Sequence, residues 1–188
     1  MSNFYIKFFY FINSFGNVVF IPILLVLIIG ALFIFDRHKR EFVIILFSIL
    51  SYPYSLLLKM LFRRTRPEFS LESHDSILDF YSFPSSHVVY YVAFWGYILY
   101  LCFKMKHEPK VLRIISGVFS SLMILFVGIS RVIVGAHWPS DVIGGYFFGA
   151  VFLAFLILAD QKMKLFKSDD NLDSRRPKRQ KSTAKYQK

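Results

Sequence analysis

The sequence predicts an all-α membrane protein, a polytopic bundle of about five transmembrane helices with a short N-terminal interfacial helix. Of its 188 residues, 55% are hydrophobic and 19% aromatic, which is too apolar for a soluble domain of this length. Several charge-free runs approach or exceed the ~17–25 residues that a membrane-spanning helix needs. No alternation of period two with regular turns is present, which favours helices over a β-barrel.

Five apolar runs follow one another along the chain, and the third is marginal in length: 8–35, 42–58, 88–103, 114–130 and 142–159. The first run is longer than one span requires and is interrupted by polar and small residues at 13–17. We therefore expect residues 3–14 to form the interfacial helix and 18–35 the first span, although one long tilted helix would explain the same letters.

Basic residues near the ends of the runs predict the orientation, because cytoplasmic loops retain an excess of Lys and Arg. Three regions carry this excess: Arg37, Lys39 and Arg40; Lys104, Lys106, Lys110 and Arg113; and residues 162–188. These regions are expected in the cytoplasm, so loops 59–87 and 131–141 face outward. A bacterial plasma membrane is the preferred location, and an endoplasmic reticulum membrane with a luminal site fits the same topology.

The domain organisation follows from the change of composition near residue 160. Residues 1–160 are expected to form the membrane-embedded domain and 161–188 a basic, disordered cytoplasmic tail, since 169–188 has almost no apolar side chains. Much of the net charge of +11 lies in this tail. Its expected partners are therefore the bilayer and its anionic lipids, not nucleic acid.

Three polar strings stand where apolar runs meet loops on the predicted outer face, and they point to phosphate chemistry. They are Lys59-x6-Arg66-Pro67, Pro84-Ser85-Ser86-His87 and Ser130-Arg131-x5-His137-x3-Asp141. Their cations run against the positive-inside preference, which indicates a function. For the neighbouring Arg63 and Arg64, contact with lipid headgroups is the simpler interpretation.

His137 and Asp141 are candidates for a nucleophile and its orienter. An Asp that accepts a hydrogen bond from one ring nitrogen leaves the other nitrogen free to attack phosphorus. The alternative is an interfacial histidine beside a helix-capping Asp141, and a lone H-x3-D pattern is weak. Arg131 strengthens the catalytic interpretation, because its planar guanidinium can bind two phosphoryl oxygens at once.

The remaining candidates complete an anion site with a proton donor. Ser85 and Ser86 precede a predicted helix, where backbone N–H groups bind phosphate, and His87 is placed to protonate a leaving alkoxide. Its alternative role is that of a neutral histidine at a helix cap. Lys59 and Arg66 add charge around the phosphoryl oxygens. No metal or cofactor is expected, because the loop residues Glu68, Glu72, His74, Asp75 and Asp79 match no ligand spacing.

The three strings resemble the signature motifs of the type 2 phosphatidic acid phosphatase (PAP2) superfamily, which includes bacterial lipid phosphatases and vanadium haloperoxidases. The resemblance implies that Lys59, Arg66 and Arg131 bind phosphate, with Ser85 and Ser86 lining the site. It also implies that His87 is the general acid and that His137, supported by Asp141, forms a phosphohistidine. The sequence departs from the family at Ser86, where glycine is usual, and in offering five spans where many relatives have six.

The expected function is metal-independent hydrolysis of a lipid phosphomonoester or diphosphate at the outer membrane face. Phosphatidate, phosphatidylglycerophosphate and polyprenyl diphosphate all fit, and no residue selects one of them. The alternatives are a non-catalytic lipid-phosphate-binding membrane protein and, with less support, a vanadate-dependent haloperoxidase.

Overall fold

A computed structural model describes residues 39–67 and 81–175, with side chains for 40–67 and 81–163. The interfacial helix and first span predicted within residues 3–35 lie outside the described residues. In the described part, regular structure is helical apart from one isolated bridge between Thr65 and Tyr81, which confirms the all-α class. The helices are α1 (Lys39–Phe47), α2 (Ser51–Phe62), α3 (Ser86–Lys104), α4 (Lys110–Ile133) and α5 (Pro139–Arg175), with a 3-10 turn at Ser48–Leu50.

Four of the five predicted spans are present among the described residues. The segments long and apolar enough to cross a membrane are Arg40–Phe62, Ser86–Lys104, Lys110–Ile133 and Pro139–Met163. Helix α5 has 37 residues, or about 55 Å, so it continues well beyond a bilayer of ~30 Å. The boundary predicted at residue 160 falls inside this helix and not at its end, while residues 176–188 lie outside the described residues.

The span Arg40–Phe62 is two helices joined by the 3-10 turn at Ser48–Leu50. Pro53 follows this turn, and its ring nitrogen cannot donate a hydrogen bond to a carbonyl one turn earlier. Shortly before this point, Ser48 Oγ donates to Ile45 O at 2.6 Å, a contact from side chain to backbone of the kind that often bends a helix. Proline and serine thus explain why this span changes its helical pitch midway.

Helix α3 is the central helix of the bundle. About two thirds of its span is buried inside the protein, compared with one third or less for each of the other three described spans. Five of its buried side chains are aromatic, among them Tyr91, Phe94 and Tyr97. The residue types therefore follow from position, because α3 contacts protein on most sides while the other helices expose apolar side chains to lipid.

Glycines bring α5 into close contact with α3. A Cβ atom added to Gly145 would lie 2.8 Å from Val88 Cβ, and one added to Gly149 would lie 2.8 Å from Val92 Cβ. Glycines four residues apart on one helix thus face valines four residues apart on the other, as in small-residue packing of membrane helices. The two helices run parallel, so both begin at the same end of the bundle.

We call that end the motif end; it holds Lys59, Ser86, Arg131 and Pro139. The opposite end, the basic end, holds a buried ion cluster of Arg40, Glu41, Lys104 and Asp160. Lys104 Nζ lies 2.5 Å from Asp160 Oδ2 and 3.2 Å from Glu41 Oε1. Arg40 pairs with Glu41 at 2.6 Å and with Asp160 at 2.9 Å. Three helices, α1, α3 and α5, are joined there.

Replacing Gly149 with alanine is expected to lower the stability of the bundle. The new methyl would also approach Val89 Cα to 3.2 Å, so α3 and α5 must separate, and overpacking of this kind costs about 1–3 kcal/mol. Thermal unfolding of the detergent-purified protein measures the loss. Gly117→Ala is the matched control, because its nearest atom would be Leu99 Cδ1 at 3.7 Å. Equal unfolding temperatures for the two variants would contradict this packing.

Replacing Asp160 with asparagine is expected to destabilise the basic end. Arg40 and Lys104 would then share one carboxylate, Glu41. The side chains of Arg40 and Lys104 are 22% and 20% exposed, so we expect a loss of about 2–3 kcal/mol, below the ~3–5 kcal/mol of a fully buried pair. The exposed Lys162→Gln serves as the control in the same unfolding assay, and a loss no greater than that of the control would argue against the cluster.

Candidate active site

Every candidate site residue predicted from the sequence lies at the motif end. Two backbone hydrogen bonds connect the segments that carry them: Ser82 N donates to Arg64 O at 2.7 Å, and Ser85 N donates to Asp141 O at 3.1 Å. The first joins the segment after α2 to the segment before α3. The second joins that segment to the first turn of α5. The motif strings, distant in sequence, therefore meet in one place.

Asp141 and His137 form the centre of this site. Asp141 lies in the first turn of α5 and is fully buried, while His137 is 3% exposed. Asp141 Oδ2 accepts a hydrogen bond from Trp138 N at 2.9 Å and lies 3.7 Å from His137 Nδ1. The carboxylate therefore caps the helix and also faces the imidazole, so capping and a contact with His137 are compatible.

The turn before α5 fixes the position of His137. Gly135 has a φ of 71°, a conformation that glycine adopts without steric cost. The N–H groups of Ala136 and His137 both donate to Arg131 O, at 3.2 and 3.3 Å. The backbone of His137 is therefore bound to the backbone of Arg131, so the two residues lie next to each other.

Arg131 is the largest completely buried side chain in the described part of the chain. It lies in the last turn of α4, directly before the turn that carries His137. A permanently charged guanidinium is costly to bury without partners. Its burial beside the two histidine-bearing segments is the arrangement expected of an anion-binding group.

Lys59 and Arg66 approach the same site from the end of α2 and the segment after it. Lys59 is 3% exposed, and its Nζ donates to Tyr81 O at 2.7 Å. Arg66 Nη1 donates to Ala136 O at 3.1 Å, which brings it within one residue of His137. These backbone contacts hold each cation in a defined position.

Ser85, Ser86 and His87 begin α3 as predicted. Ser85 is the extended residue before the helix, Ser86 its first residue, and both are buried. Since α3 and α5 are parallel and closely packed, the N-termini of two helices converge on the site. Each contributes about half a positive charge from its macrodipole, which favours an anion there.

Arg64 is a site residue that the sequence analysis missed. Its Nη1 donates to Ser140 Oγ at 2.7 Å and to Asp141 Oδ1 at 2.9 Å, and its guanidinium carbon lies 5.9 Å from the centre of the Trp138 ring. The expectation of headgroup contact did not include this ion pair. Nothing in the spacing of the first string indicated it, because the pairing depends on how two distant segments meet.

Several cations gather in the described part of the motif end. Among the side chains that the structure describes, the cations Lys59, Arg64, Arg66 and Arg131 face one carboxylate, Asp141. The loop residues considered as metal ligands, between 68 and 80, lie outside the described residues. Within the described ranges, no group of three His, Cys, Asp or Glu side chains is placed to hold a metal ion.

Comparison with known proteins identifies the family. The model of the PAP2 superfamily matches residues 41–164, a range that runs from α1 to α5 and includes all three strings. The chain belongs to the PAP2 superfamily. The resemblance inferred from the strings is thus confirmed, and the buried histidine, arginine and lysine side chains described above are those of a PAP2 protein.

Two relatives from Bacillus subtilis support the same assignment. The chain is 39% identical to phosphatidylglycerophosphatase B of strain 168 over 117 residues, which is 59% of this chain and 53% of the relative. The chain therefore matches about half the length of that curated relative. The crystal structure of a transmembrane PAP2-type phosphatidylglycerolphosphate phosphatase superposes with a TM-score of 0.72 at 25% identity, covering 86% of this chain and 79% of the other. Together with the four apolar spans, this makes the chain an integral membrane protein.

Inorganic phosphate is expected to stabilise this PAP2 protein against heat through the motif end. A ligand at ~100 times its dissociation constant adds about 2.7 kcal/mol to the free energy of unfolding. Arg131→Lys keeps the charge but loses the two-pronged contact, so phosphate should raise its unfolding temperature less than that of the wild type. Arg113→Lys, at the basic end, provides the matched control and should show the full shift. An undiminished shift in Arg131→Lys would disprove this role.

Proposed function

We propose that the protein is a lipid phosphatase that hydrolyses a lipid phosphomonoester or diphosphate through a phosphohistidine intermediate. One observation carries the proposal: His137 is buried with its Nδ1 facing the buried carboxylate of Asp141 at 3.7 Å, at the end of the bundle that holds Lys59, Arg66 and Arg131. A hydrogen bond across this gap needs only a small approach, and such contacts commonly shorten when substrate binds.

The charge distribution supports phosphate binding. A phosphoryl group carries its charge on three outer oxygens, and catalysis of its transfer depends mainly on cations and dipoles placed around them. Arg131 can bind two oxygens at once, while Lys59 and Arg66 supply point charges. The backbone N–H groups at the start of α3, with Ser85 and Ser86, complete the proposed cradle.

The chemistry then proceeds in two steps that use the two histidines. His137 Nε2 attacks the terminal phosphorus while its P–O bond to the rest of the lipid breaks. His87 gives its proton to the departing oxygen, which belongs to an alkoxide for a phosphomonoester and to a lipid phosphate for a diphosphate. A water molecule next attacks the phosphohistidine, His87 takes up the water proton, and the P–N bond breaks to release inorganic phosphate. Asp141 holds the imidazole of His137 in the required orientation throughout.

The position of the motif end favours a substrate that stays in the bilayer. The site lies at one end of the membrane-spanning helices. Apolar side chains of α2 and α4 are exposed near that end, including Leu57, Leu61, Ile129 and Ile133. Most Lys and Arg of the sequence lie in residues 37–40, 104–113 and 162–188, away from the site strings. The positive-inside preference for these residues supports a site that faces outward. We therefore propose a lipid phosphate of the outer leaflet of a bacterial plasma membrane.

The name of the curated relative makes phosphatidylglycerophosphate the first substrate to test. Phosphatidate and polyprenyl diphosphate remain in the panel, because no described side chain distinguishes a diacylglycerol from an isoprenoid. The basic residues after α5 are proposed to contact anionic lipids of the inner leaflet.

The decisive experiment measures phosphate release from these three lipids by the full-length, detergent-purified protein in excess chelator. His137→Ala should lower the rate at least about thousandfold, because the attacking nitrogen is lost. His107→Ala is the matched control, since this histidine is exposed in the loop between α3 and α4 at the basic end. It should retain the wild-type rate.

Each contrary outcome leads to a different conclusion. Release that persists in His137→Ala would disprove the phosphohistidine mechanism. Activity that disappears in chelator would show that a metal is needed. No release from any lipid by the folded wild type would favour a non-catalytic binding protein, and halide oxidation by the vanadate-loaded protein with peroxide would favour a haloperoxidase.

A further inference from the structure

Both oxygens of the Asp141 carboxylate are held by hydrogen bonds from different segments. Oδ2 accepts from the backbone of Trp138 and faces His137, while Oδ1 accepts from Arg64 Nη1. A carboxylate held at one oxygen can still rotate about its Cβ–Cγ bond. A donor on each oxygen fixes that rotation, and with it the direction in which Oδ2 presents its lone pairs to the imidazole.

Arg64 is itself held in place, although its side chain is 42% exposed. Its carbonyl accepts hydrogen bonds from Ser82 N at 2.7 Å and Ser82 Oγ at 3.3 Å. Its guanidinium also donates to Ser140 Oγ and lies near the Trp138 ring. The side chain therefore reaches from the segment after α2 to the first turn of α5. The hydrogen bonds from Ser82 hold the backbone of Arg64 in place.

We propose that Arg64 is a positioning residue for the nucleophile, acting on His137 through Asp141. The inference rests on the proposed function, because it assigns a task within that reaction. Arg64 contacts Asp141 and not His137. It is one of the unspecified positions of the first string, between Lys59 and Arg66, and has no assigned role in phosphate binding. Its contribution is to the orientation of the carboxylate, and so to the rate of attack more than to the binding of substrate.

The competing role for Arg64 is direct contact with the headgroup or phosphate of the lipid, which its partial exposure allows. The two roles differ in kinetics. Loss of a substrate contact that is equally strong before and during the reaction raises KM and leaves kcat unchanged, whereas loss of orientation at the nucleophile lowers kcat.

The test is steady-state hydrolysis by Arg64→Ala, Arg64→Lys, Asp141→Asn and the double variant Arg64→Ala/Asp141→Asn. Arg64→Ala should lower kcat by about 10–100-fold, the scale of small misplacements at a reacting centre, with KM little changed. Arg64→Lys keeps a donor and the charge, so its kcat should be intermediate. In the Asp141→Asn background, Arg64→Ala should lower kcat less than about threefold, because residues acting through one contact are not additive.

Arg63→Ala is the control for loss of a neighbouring charge. This arginine is exposed, and its Nε donates to Met60 O at 3.1 Å, within its own segment. Its kcat should equal that of the wild type. Unfolding temperatures show whether Arg64→Ala is folded, and if it is not, the kcat and KM of Arg64→Lys decide between the roles.

The possible results separate this inference from the proposed function. An active wild type, an inactive His137→Ala and a normal kcat in Arg64→Ala would overturn the role of Arg64 alone. A raised KM with unchanged kcat, or full additivity in the double variant, would assign Arg64 to substrate contact. An inactive folded wild type would refute the proposed function, and the role of Arg64 with it.

Discussion

The close parallel packing of α3 and α5 is the constraint on which the rest of the molecule depends. Gly145 and Gly149 allow the backbone of α5 to approach Val88 and Val92 of α3. Parallel helices in contact must begin at the same end, so their N-terminal N–H groups and dipoles point to one place. His87 and Asp141 are carried there by the first turns of these two helices. The anion site is thus a consequence of helix packing before any side-chain chemistry is added.

The two ends of the bundle use buried charge in opposite ways. At the basic end, Arg40 and Lys104 face Glu41 and Asp160, so the cluster is balanced and its geometry is that of a structural network. At the motif end, the described cations outnumber the single carboxylate. Burying unbalanced charge is expensive unless a ligand of opposite sign completes the set. Among the described side chains, this difference separates the candidate site from the balanced cluster.

Much of this arrangement could be predicted from the sequence, because hydropathy defines membrane spans and the three strings have fixed internal spacing. The four described spans, the start of α3 within one residue of His87 and the proximity of His137 to Asp141 all followed from local sequence patterns. The Arg64–Asp141 pair and the Arg40–Asp160 cluster did not. Each joins residues far apart in sequence, and their contact depends on helix rotation and register, which hydropathy does not specify.

The domain boundary predicted at residue 160 also shows what composition does not specify. A loss of apolar residues indicates where a chain leaves the membrane, but a helix continues as long as its own backbone hydrogen bonds are favourable. The polar residues after Asp160 satisfy this condition, and α5 extends to Arg175. The change of composition near residue 160 therefore does not mark the end of the helix.

Attachment of α3 to α5 at both ends couples the lengths of the two helices. Val88 meets Gly145 near the motif end, and Lys104 meets Asp160 at the basic end. An insertion of one residue between these points in one helix would rotate its remainder by about 100° and separate one pair or the other. Length variation among homologues should therefore be rare in these two intervals unless both helices change together, and it should concentrate in the segment between α2 and α3.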